Sequence, residues 1–229
     1  MPYYRRTQMP TAAEDRPWFS VDVGPIHFLQ FSTEHAFHPG SEQHAFMAAD
    51  LAAVDRGRTP WVIVGGHRPM YIDSGVWEGP PDGDGYVAAQ LREALEPLLH
   101  RHRVDATWSG HHHSYQRTCP VYAGRCQVRE EGGAAGGTVH LVIGHGGAGL
   151  SPNVHLRRPA IFEAVQLRHG FMRVAANATH LVHEVSSWHV QPCSLPAVPR
   201  ALCAANQSEP ACCRRWWPRP TATSWTPSR

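Results

Sequence analysis

A run of four large apolar residues, WVIV at positions 61–64, constrains the fold of this chain more than any other segment. An uninterrupted apolar run of this length is typical of a β-strand that is buried on both faces, with other strands beside it. The run is followed at once by Gly65-Gly66-His67, so the strand ends in a flexible turn and a polar side chain. The sequence therefore predicts a central strand with a histidine at its carboxyl end.

Strand-like and helix-like patterns alternate around this run. Further strands are predicted at residues 18–23, 26–31, 106–108 and 138–143, and helices at residues 41–54 and 87–98. The first two strands flank Gly24-Pro25 and should form a hairpin. On the first helix, Phe46, Ala49 and Ala53 are expected to share one face. The alternation predicts an α/β sandwich with mixed sheets, in which ligands gather at the carboxyl ends of strands.

The C-terminal part of the chain divides into a regular and an irregular segment. From residue 160 to 186 the apolar residues alternate, which predicts an antiparallel meander of three strands. Residues 187–229 hold four Trp, four Cys and many Pro without a period of 2 or 3.6. We expect residues 1–186 to be folded and residues 187–229 to be a disordered or aberrant tail. A zinc site on those four Cys is disfavoured because no C-x₂-C spacing occurs.

Charge and hydropathy exclude several classes of partner. A formal net charge of +2 over 229 residues is too small to favour nucleic acid or an anionic membrane. No stretch approaches the roughly 20 apolar residues of a membrane span. The first ten residues, MPYYRRTQMP, lack the apolar core of a signal peptide. The sequence thus predicts neither a nucleic-acid nor a membrane partner, and it gives no indication of oligomeric state.

Two features favour an oxidising, secretory environment. Cys119 and Cys126 flank a short loop, which suits a small turn closed by a disulfide. Asn177-Ala178-Thr179 and the sequon at residues 206–208 are both acceptors for N-glycosylation. We therefore expect a glycoprotein of the secretory pathway, although this chain itself shows no signal peptide.

A histidine run gives the clearest chemical signal. The predicted strand at residues 106–108 is followed by Gly110 and then His111, His112 and His113. On an extended backbone, residues i and i+2 project to the same side, so His111 and His113 would present two imidazoles to one point and His112 would face away. His67 ends a separate strand and could supply a third nitrogen. Spacing alone leaves open that these are ordinary hydrogen-bonded loop residues.

Longer segments resemble the purple acid phosphatases, a branch of the calcineurin-like metallophosphoesterases. WVIVGGHRPMY (residues 61–71) and SGHHHSYQRTCPVY (residues 109–122) are similar to the V-x-x-H and G-H-x-H blocks of that family. The segment at residues 18–35 resembles the strand pair that precedes these blocks. GTVHLVIGHGG and FMRVAANATHLVHEV resemble the C-terminal strands of the family. The resemblance extends over about residues 2–185, in the order and spacing of the family.

The resemblance implies a metal site and a reaction. By position, His67 and His111 would bind the divalent metal and His113 the ferric ion. It implies an acid phosphatase that hydrolyses phosphate monoesters by a two-metal mechanism with a metal-bound hydroxide. The cofactors would be Fe and a second metal, which the sequence leaves open among Zn, Mn and Fe. Family members of this kind are secreted or vacuolar/lysosomal. Arg68, next to His67, is expected to form a salt bridge rather than to hold a phosphate.

The family's first three blocks have no counterpart in this sequence. They read G-D-x-G, G-D-x-x-Y and G-N-H-[DE] and supply the Asp, Tyr and Asn ligands and a catalytic His. The nearest candidate, Gly83-Asp84-Gly85-Tyr86, follows the His67 block and has the wrong spacing. The expected fold is therefore an incomplete α/β/β/α metallophosphoesterase sandwich, the C-terminal part of the catalytic domain. We assign no catalytic residue and expect partial metal occupancy and weak or absent activity.

One further expectation follows from those missing blocks. The strand at residues 61–64 should become an exposed edge, because strands from the absent part would no longer cover it.

Two other functions also stay open. The chain could be a non-catalytic module in which the three histidines hold one zinc, or its substrate could be a phosphodiester or pyrophosphate, since related enzymes share the G-H-x-H block.

Overall fold

The computed structural model describes residues 9–11, 13, 15–75, 83–127, 136–155, 159–187 and 223–225. The helices are α1 (Glu42–Ala53) and α2 (Asp84–Arg101). The strands are β1 (Phe19–Val23), β2 (Ile26–Gln30), β3 (Trp61–Gly65), β4 (Ala106–Ser109), β5 (Tyr115–Tyr122), β6 (Arg125–Cys126), β7 (Thr138–Ile143), β8 (Phe162–Gln166), β9 (Gly170–Ala176), β10 (Leu181–Ser187) and β11 (Thr223–Trp225).

An eight-stranded mixed sheet forms the centre of the fold. Its order is β1-β2-β3-β4-β7-β5-β6, and β8 pairs with β5. Strands β2, β3, β4 and β7 run parallel, so their carboxyl ends meet at one edge of the sheet. The predicted mixed α/β architecture is confirmed, and so is the hairpin of β1 and β2, in which Val23 pairs with Ile26.

The expectation that the strand at residues 61–64 becomes an edge is wrong. Strand β3 lies between β2 and β4, with Ile26 opposite Trp61 and Ala106 opposite Ile63. The β1–β2 hairpin supplies the neighbour, because β2 runs parallel to β3 along its whole length. Among the described strands the edge on this side of the large sheet is β1, where Val21 and Val23 are exposed.

The alternation of side chains along β3 separates two layers. Val62 and Val64 pack into a cluster with α1 and α2 that includes Met47 and Leu95. Trp61 and Ile63 point to the opposite face and pack with Leu181 of β10. Strands β9, β10 and β11 form a second, three-stranded sheet. Helices therefore cover one face of the large sheet and the small sheet covers the other. Each fully buried Val, Ile or Leu side chain contributes about 1.5–3 kcal/mol to the stability of this core.

Helix α1 begins where it was predicted but buries a different face. The Ser41 hydroxyl accepts a hydrogen bond from the His44 N–H at 3.2 Å, which caps the first turn. The buried residues are Gln43, Met47 and Leu51, whereas the predicted residues Ala49 and Ala53 are exposed. Gln43 helps to fix which face of the helix is buried. Its side-chain amide accepts a hydrogen bond from the Ser32 N–H at 2.7 Å and donates one to the Ser32 carbonyl at 2.9 Å.

The C-terminal strands match the predicted meander only in part. Strands β9 and β10 form the expected hairpin, with Leu181 opposite Ala176. Strand β8 leaves them and pairs with β5, which places Gln166 opposite Tyr115. Strand β5 was not predicted. Outside β11, residues 188–229 lie beyond the described part of the chain, and with them the predicted tail and its four Cys.

The predicted disulfide is present in the β5–β6 hairpin. Cys119 and Cys126 are bonded to each other. The turn between the strands contains Ala123 and Gly124, both with positive φ, and it brings Tyr122 opposite Arg125. Neither helix of the described ranges is long and apolar enough to cross a membrane.

Candidate metal centre

The carboxyl ends of β3 and β4 are joined by backbone hydrogen bonds. The Gly66 N–H donates to the Trp108 carbonyl at 3.0 Å, and the Gly110 N–H donates to the His67 carbonyl at 3.0 Å. A Cβ atom on Gly66 would lie 2.5 Å from the Phe31 ring, so only glycine fits this close approach. The two turns that carry His67 and His111 are therefore held side by side.

His67 and His111 bring one ring nitrogen each to a common point. The distance between Nε2 of His67 and Nδ1 of His111 is 3.1 Å, and the rings are nearly perpendicular at 81°. Two imidazoles on one tetrahedral cation, with bonds of about 2.0–2.1 Å, would have their nitrogens about 3.3 Å apart. Burial, and then the neighbouring His111, lowers the pKa of His67 and favours its neutral form. The pair fits the nitrogen ligands of one divalent cation.

The backbone of the histidine run differs from the extended one that was expected. His111 has a φ of 66°, in the left-handed region that residues other than glycine seldom adopt. The His112 N–H donates to the Gly110 carbonyl, and the Ser114 N–H to the His112 carbonyl, each at 2.8 Å. These bends fold the run back on itself after β4. The prediction that His111 and His113 point to one side for reasons of strand geometry is therefore wrong.

His113 is oriented separately from the pair. Its Nδ1–H donates to the Gly149 carbonyl at 2.6 Å, and its backbone N–H donates to the Ser151 hydroxyl at 3.1 Å. This leaves Nε2 as the atom with a lone pair. His113 lies near enough to His67 to contribute to the lowering of the pKa of His67. Within the described ranges, however, no group of three or more His, Cys, Asp or Glu side chains is arranged to hold a metal ion.

His112 has a structural role. The side chain is only 3% exposed and its Nδ1 is hydrogen-bonded to the Ser114 hydroxyl at 2.7 Å. Gln116 donates to the same hydroxyl at 3.1 Å. Burial lowers the pKa of His112, so the ring is neutral at this position.

One residue at the centre was missed by the sequence reasoning. The carboxylate of Asp84, at the first residue of α2, accepts a hydrogen bond from Nε2 of His111 at 3.0 Å. In the sequence, the spacing of Asp84 does not match a family block, and Asp84 is a candidate only as a residue that would complete the site if the chain proved active. An acidic residue that starts a helix after a long loop was the available signal. Arg68, as expected, forms an ion pair, with Nε 2.9 Å from Glu34 Oε1.

The described residues fit one cation and not two. His67 and His111 offer two converging nitrogens, and His113 offers a third that is oriented elsewhere. Two cations a few ångströms apart need an anionic ligand between them, since neutral imidazoles do not offset their repulsion. Among the described residues the carboxylate at this centre, Asp84, faces the far side of His111. The described residues therefore offer nitrogen ligands to one cation and no carboxylate placed to bridge two.

Comparison with known proteins shows what the chain is similar to. A family model described as iron/zinc purple acid phosphatase-like protein C matches residues 137–187. Over 163 residues the chain is 36% identical to "Probable inactive purple acid phosphatase 27" of Arabidopsis thaliana, covering 69% of this chain and 26% of that protein. Over 144 residues it is 36% identical to a "Nucleotide pyrophosphatase/phosphodiesterase" of Hordeum vulgare, covering 61% of this chain and 39% of that protein.

A solved structure shows the same fold. The purple acid phosphatase PPD1 from yellow lupin (Lupinus luteus) seeds superposes with a TM-score of 0.72 and 31% sequence identity, covering 81% of this chain and 33% of that chain. The chain spans from 26% to 39% of the length of the two curated relatives.

Proposed function

This chain belongs to the purple acid phosphatase family, and we propose that it supplies the histidine ligands of a metal-dependent phosphate-monoester hydrolase. The observation that carries the proposal is the convergence of His67 and His111, 3.1 Å apart, where two parallel strands end. Acid phosphatase activity, the phosphate-ester substrate and the metals are all proposals for this chain.

Each histidine has a role that its surroundings support. His67 and His111 would hold a divalent cation, Zn, Mn or Fe, through Nε2 and Nδ1. His113 would hold a ferric ion through Nε2, because its Nδ1–H is engaged by the Gly149 carbonyl. The metals, when bound, would activate water and neutralise charge on the phosphate. The protein's contribution is to keep the three imidazole rings oriented before any ligand arrives.

The activity of this chain alone should be low. The described residues bring two nitrogens to one point, and no carboxylate among them is placed to bridge two cations. A single cation can polarise a phosphate ester, but it cannot hold both the attacking and the leaving oxygen. We therefore propose partial metal occupancy and slow hydrolysis. The Arabidopsis relative, which is named as probably inactive, is compatible with a loss of activity among similar sequences.

Two alternatives remain beside this proposal. The barley relative is named a nucleotide pyrophosphatase/phosphodiesterase, which favours a phosphodiester or pyrophosphate as the second candidate substrate. The His67–His111 pair would serve either ester equally, so the difference must come from the groups that contact the leaving group. A non-catalytic module with a single zinc is the other alternative, and it predicts metal binding without hydrolysis.

Two features support a secreted or vacuolar/lysosomal location. Disulfides such as Cys119–Cys126 form and persist mainly in oxidising compartments and are rare in the cytosol. The sequon at Asn177 lies in the exposed turn between β9 and β10, where its side chain accepts a hydrogen bond from the Thr179 N–H at 2.9 Å. The second sequon lies outside the described residues.

A hydrolysis assay tests the proposed function. The full chain, loaded with iron and zinc, is given p-nitrophenyl phosphate or bis(p-nitrophenyl) phosphate at acidic pH. We expect slow hydrolysis of the monoester that is abolished by a chelator and by His111→Ala. The control is His38→Ala, which removes an exposed imidazole whose hydrogen bond is to the carbonyl of the next residue.

Several outcomes would contradict the proposal. Hydrolysis that survives His111→Ala would place the reaction elsewhere in the chain. Faster cleavage of the diester would favour the second candidate substrate. A chain that binds metal and cleaves neither ester would support the non-catalytic alternative. Rates equal to those of intact family enzymes would overturn the claim that the donor set is incomplete.

A further inference from the structure

Asp84 and His111 form a contact that links the start of α2 to the end of β4. Oδ1 of Asp84 lies 3.0 Å from Nε2 of His111, and their side chains are 21% and 26% exposed. The residues are 27 positions apart in the sequence, so the contact depends on the tertiary fold. It joins His111 on the side opposite to His67.

The carboxylate determines where the proton of the His111 ring resides. An ionised carboxylate only accepts hydrogen bonds, so the nitrogen that faces it must carry a proton. In a neutral imidazole the other nitrogen then has the lone pair. That other nitrogen is Nδ1, the atom 3.1 Å from Nε2 of His67. In this tautomer the Nδ1 lone pair of His111 accepts from Nε2–H of His67, whereas the opposite tautomer would direct a lone pair at the carboxylate.

The carboxylate is itself fixed by other parts of the chain. The Ser74 hydroxyl donates to Oδ2 of Asp84 at 3.2 Å. Asn153 Nδ2 donates to the same hydroxyl at 2.9 Å. The segment after β3 and the segment after β7 therefore both support the oxygen that does not contact His111. Because both oxygens are engaged, the carboxylate has little freedom to rotate away.

The backbone of His111 indicates that its position is imposed. A φ of 66° at a residue other than glycine persists only where surrounding contacts hold it, and such residues cluster at functional sites. The Gly110 N–H bond to the His67 carbonyl constrains the chain on one side of His111. The Asp84 bond constrains the ring on the other. Both act to keep Nδ1 directed at His67.

We propose that Asp84 is a positioning residue of the metal centre, whose carboxylate holds His111 in the tautomer that presents the Nδ1 lone pair beside Nε2 of His67. The inference rests on the proposed function for the use of that lone pair, which is to bind a divalent cation. Carboxylates that accept from the outer nitrogen of a ligating histidine orient the ring and make it more basic. The position of the proton on the His111 ring does not depend on a bound metal.

A purely structural role for Asp84 makes a different prediction. As the acidic residue in the first turn of α2, Asp84 also interacts favourably with the positive end of the helix dipole. If that were its whole contribution, its removal would lower helix stability and leave the His111 tautomer unchanged. Glu42 occupies the equivalent place in the first turn of α1 and faces no histidine pair, so Glu42→Gln is the matched control.

The first test reads the tautomer without metal. Long-range ¹H–¹⁵N spectra of the full chain with ¹⁵N-labelled histidine are recorded above the ordinary histidine pKa, and the His111 signals are assigned by their loss in His111→Gln. We expect the tautomer with the proton on Nε2 in the native chain and in Glu42→Gln. Asp84→Ala should show a mixture of both tautomers, and Asp84→Asn an intermediate result. An unchanged tautomer in Asp84→Ala would overturn the proposal.

The second test measures zinc affinity by competition with a chelating dye. Removal of an outer carboxylate typically weakens metal binding about 10–100-fold, which is the loss expected for Asp84→Ala. Glu42→Gln should bind zinc as the native chain does. Equal affinity in Asp84→Ala and the native chain would overturn the role of Asp84 toward the metal. A native chain that binds no zinc, but changes tautomer in Asp84→Ala, would overturn the proposed function while supporting the assigned proton position.

Discussion

Two histidine sites of this fold differ in how many carboxylates each ring contacts. His27, in β2, has a carboxylate on each nitrogen, with Nδ1 2.8 Å from Asp22 and Nε2 2.8 Å from Asp50. His111, after β4, has Asp84 on one nitrogen and the His67 ring on the other. A ring that donates from both nitrogens is protonated and has no lone pair for a ligand. A ring with one carboxylate keeps a lone pair.

His27 is a structural bridge, whereas the His67–His111 pair is a candidate ligand site. The pKa of His27 is raised, first by the hydrogen bond to Asp50 and against the effect of burial, whereas burial lowers the pKa of His67. His27 thereby ties β1, β2 and α1 together by charge. The His67–His111 pair does not bridge layers in this way. Both sites contain a histidine, and only the groups that are hydrogen-bonded to each ring distinguish them.

The largest expected effect is on the structural site. Asp50→Ala removes one partner of His27 and the acceptor of the Ser20 hydroxyl. We expect the free energy of unfolding to fall by about 2–3 kcal/mol, because buried polar groups are left without partners. Zinc affinity should not change. Denaturant unfolding measures the loss, and Asp15→Ala, at a side chain that is 95% exposed, is the control. A loss of zinc binding in Asp50→Ala would show that the two sites are coupled.

A change at the metal centre should lower zinc affinity as well as stability. A Cβ atom on Gly144 would lie 2.1 Å from the His112 carbonyl oxygen, so Gly144→Ala must displace the histidine run. We expect a loss of about 1–3 kcal/mol in unfolding free energy from the steric clash, together with weaker zinc binding. Gly147→Ala is the matched control, because nothing lies within 4 Å of its Cβ position. Native zinc affinity in Gly144→Ala would contradict the assignment of the metal centre to this run.

Raising the pH should gradually remove the contribution of His27 to the stability of the fold. Because the folded pKa of His27 lies above its ordinary value of 6.5, its contribution to stability is fully present below about pH 6.5. That contribution is lost as the pH rises through the raised folded pKa. Asp22 and Asp50 face the ring, and Arg58 lies 3.9 Å from the Asp22 carboxylate. The melting temperature of the native chain should therefore fall with rising pH more than that of His27→Gln. Parallel curves for the two proteins would contradict the bridge.

The smallest effect is expected at the outer support of Asp84. Ser74→Ala removes the hydroxyl that donates to Oδ2 but leaves the bond from Oδ1 to His111. We expect a loss of zinc affinity of a few-fold, less than that of Asp84→Ala, since the contact that sets the proton is retained. The same dye competition measures it. A loss as large as that of Asp84→Ala would assign the positioning role to the wider hydrogen-bond network.

The parts of the fold that were predictable are those with local signals. The apolar run at residues 61–64, the turn at Gly24-Pro25 and the Ser41 cap are each contained within a few residues, and each predicted the observed element. Strand β5 was missed because it contains polar residues and Pro120. Its Gln116 and Thr118 are fully buried, and hydrogen bonds to residues distant in sequence satisfy their polar groups. For example, the Asp73 N–H donates to the Gln116 side chain.

The candidate site was predictable as a set of residues and not as a geometry. The histidines were named from their positions after strands and from the resemblance to a family. The left-handed backbone of His111 and the separate orientation of His113 have no local signature in the sequence. The Asp84 contact joins residues that are distant in sequence, so neither periodicity nor spacing indicates it.

The His67–His111 site is tested most directly by the zinc content of the full chain, measured after equilibration with the metal and removal of the excess. We expect no more than one zinc per chain, lost in His67→Ala and in His111→Ala and retained in His38→Ala, because two converging imidazoles fit one cation. Two zinc ions per chain, or zinc retained in both single variants, would contradict the assignment of a single cation to the His67–His111 pair.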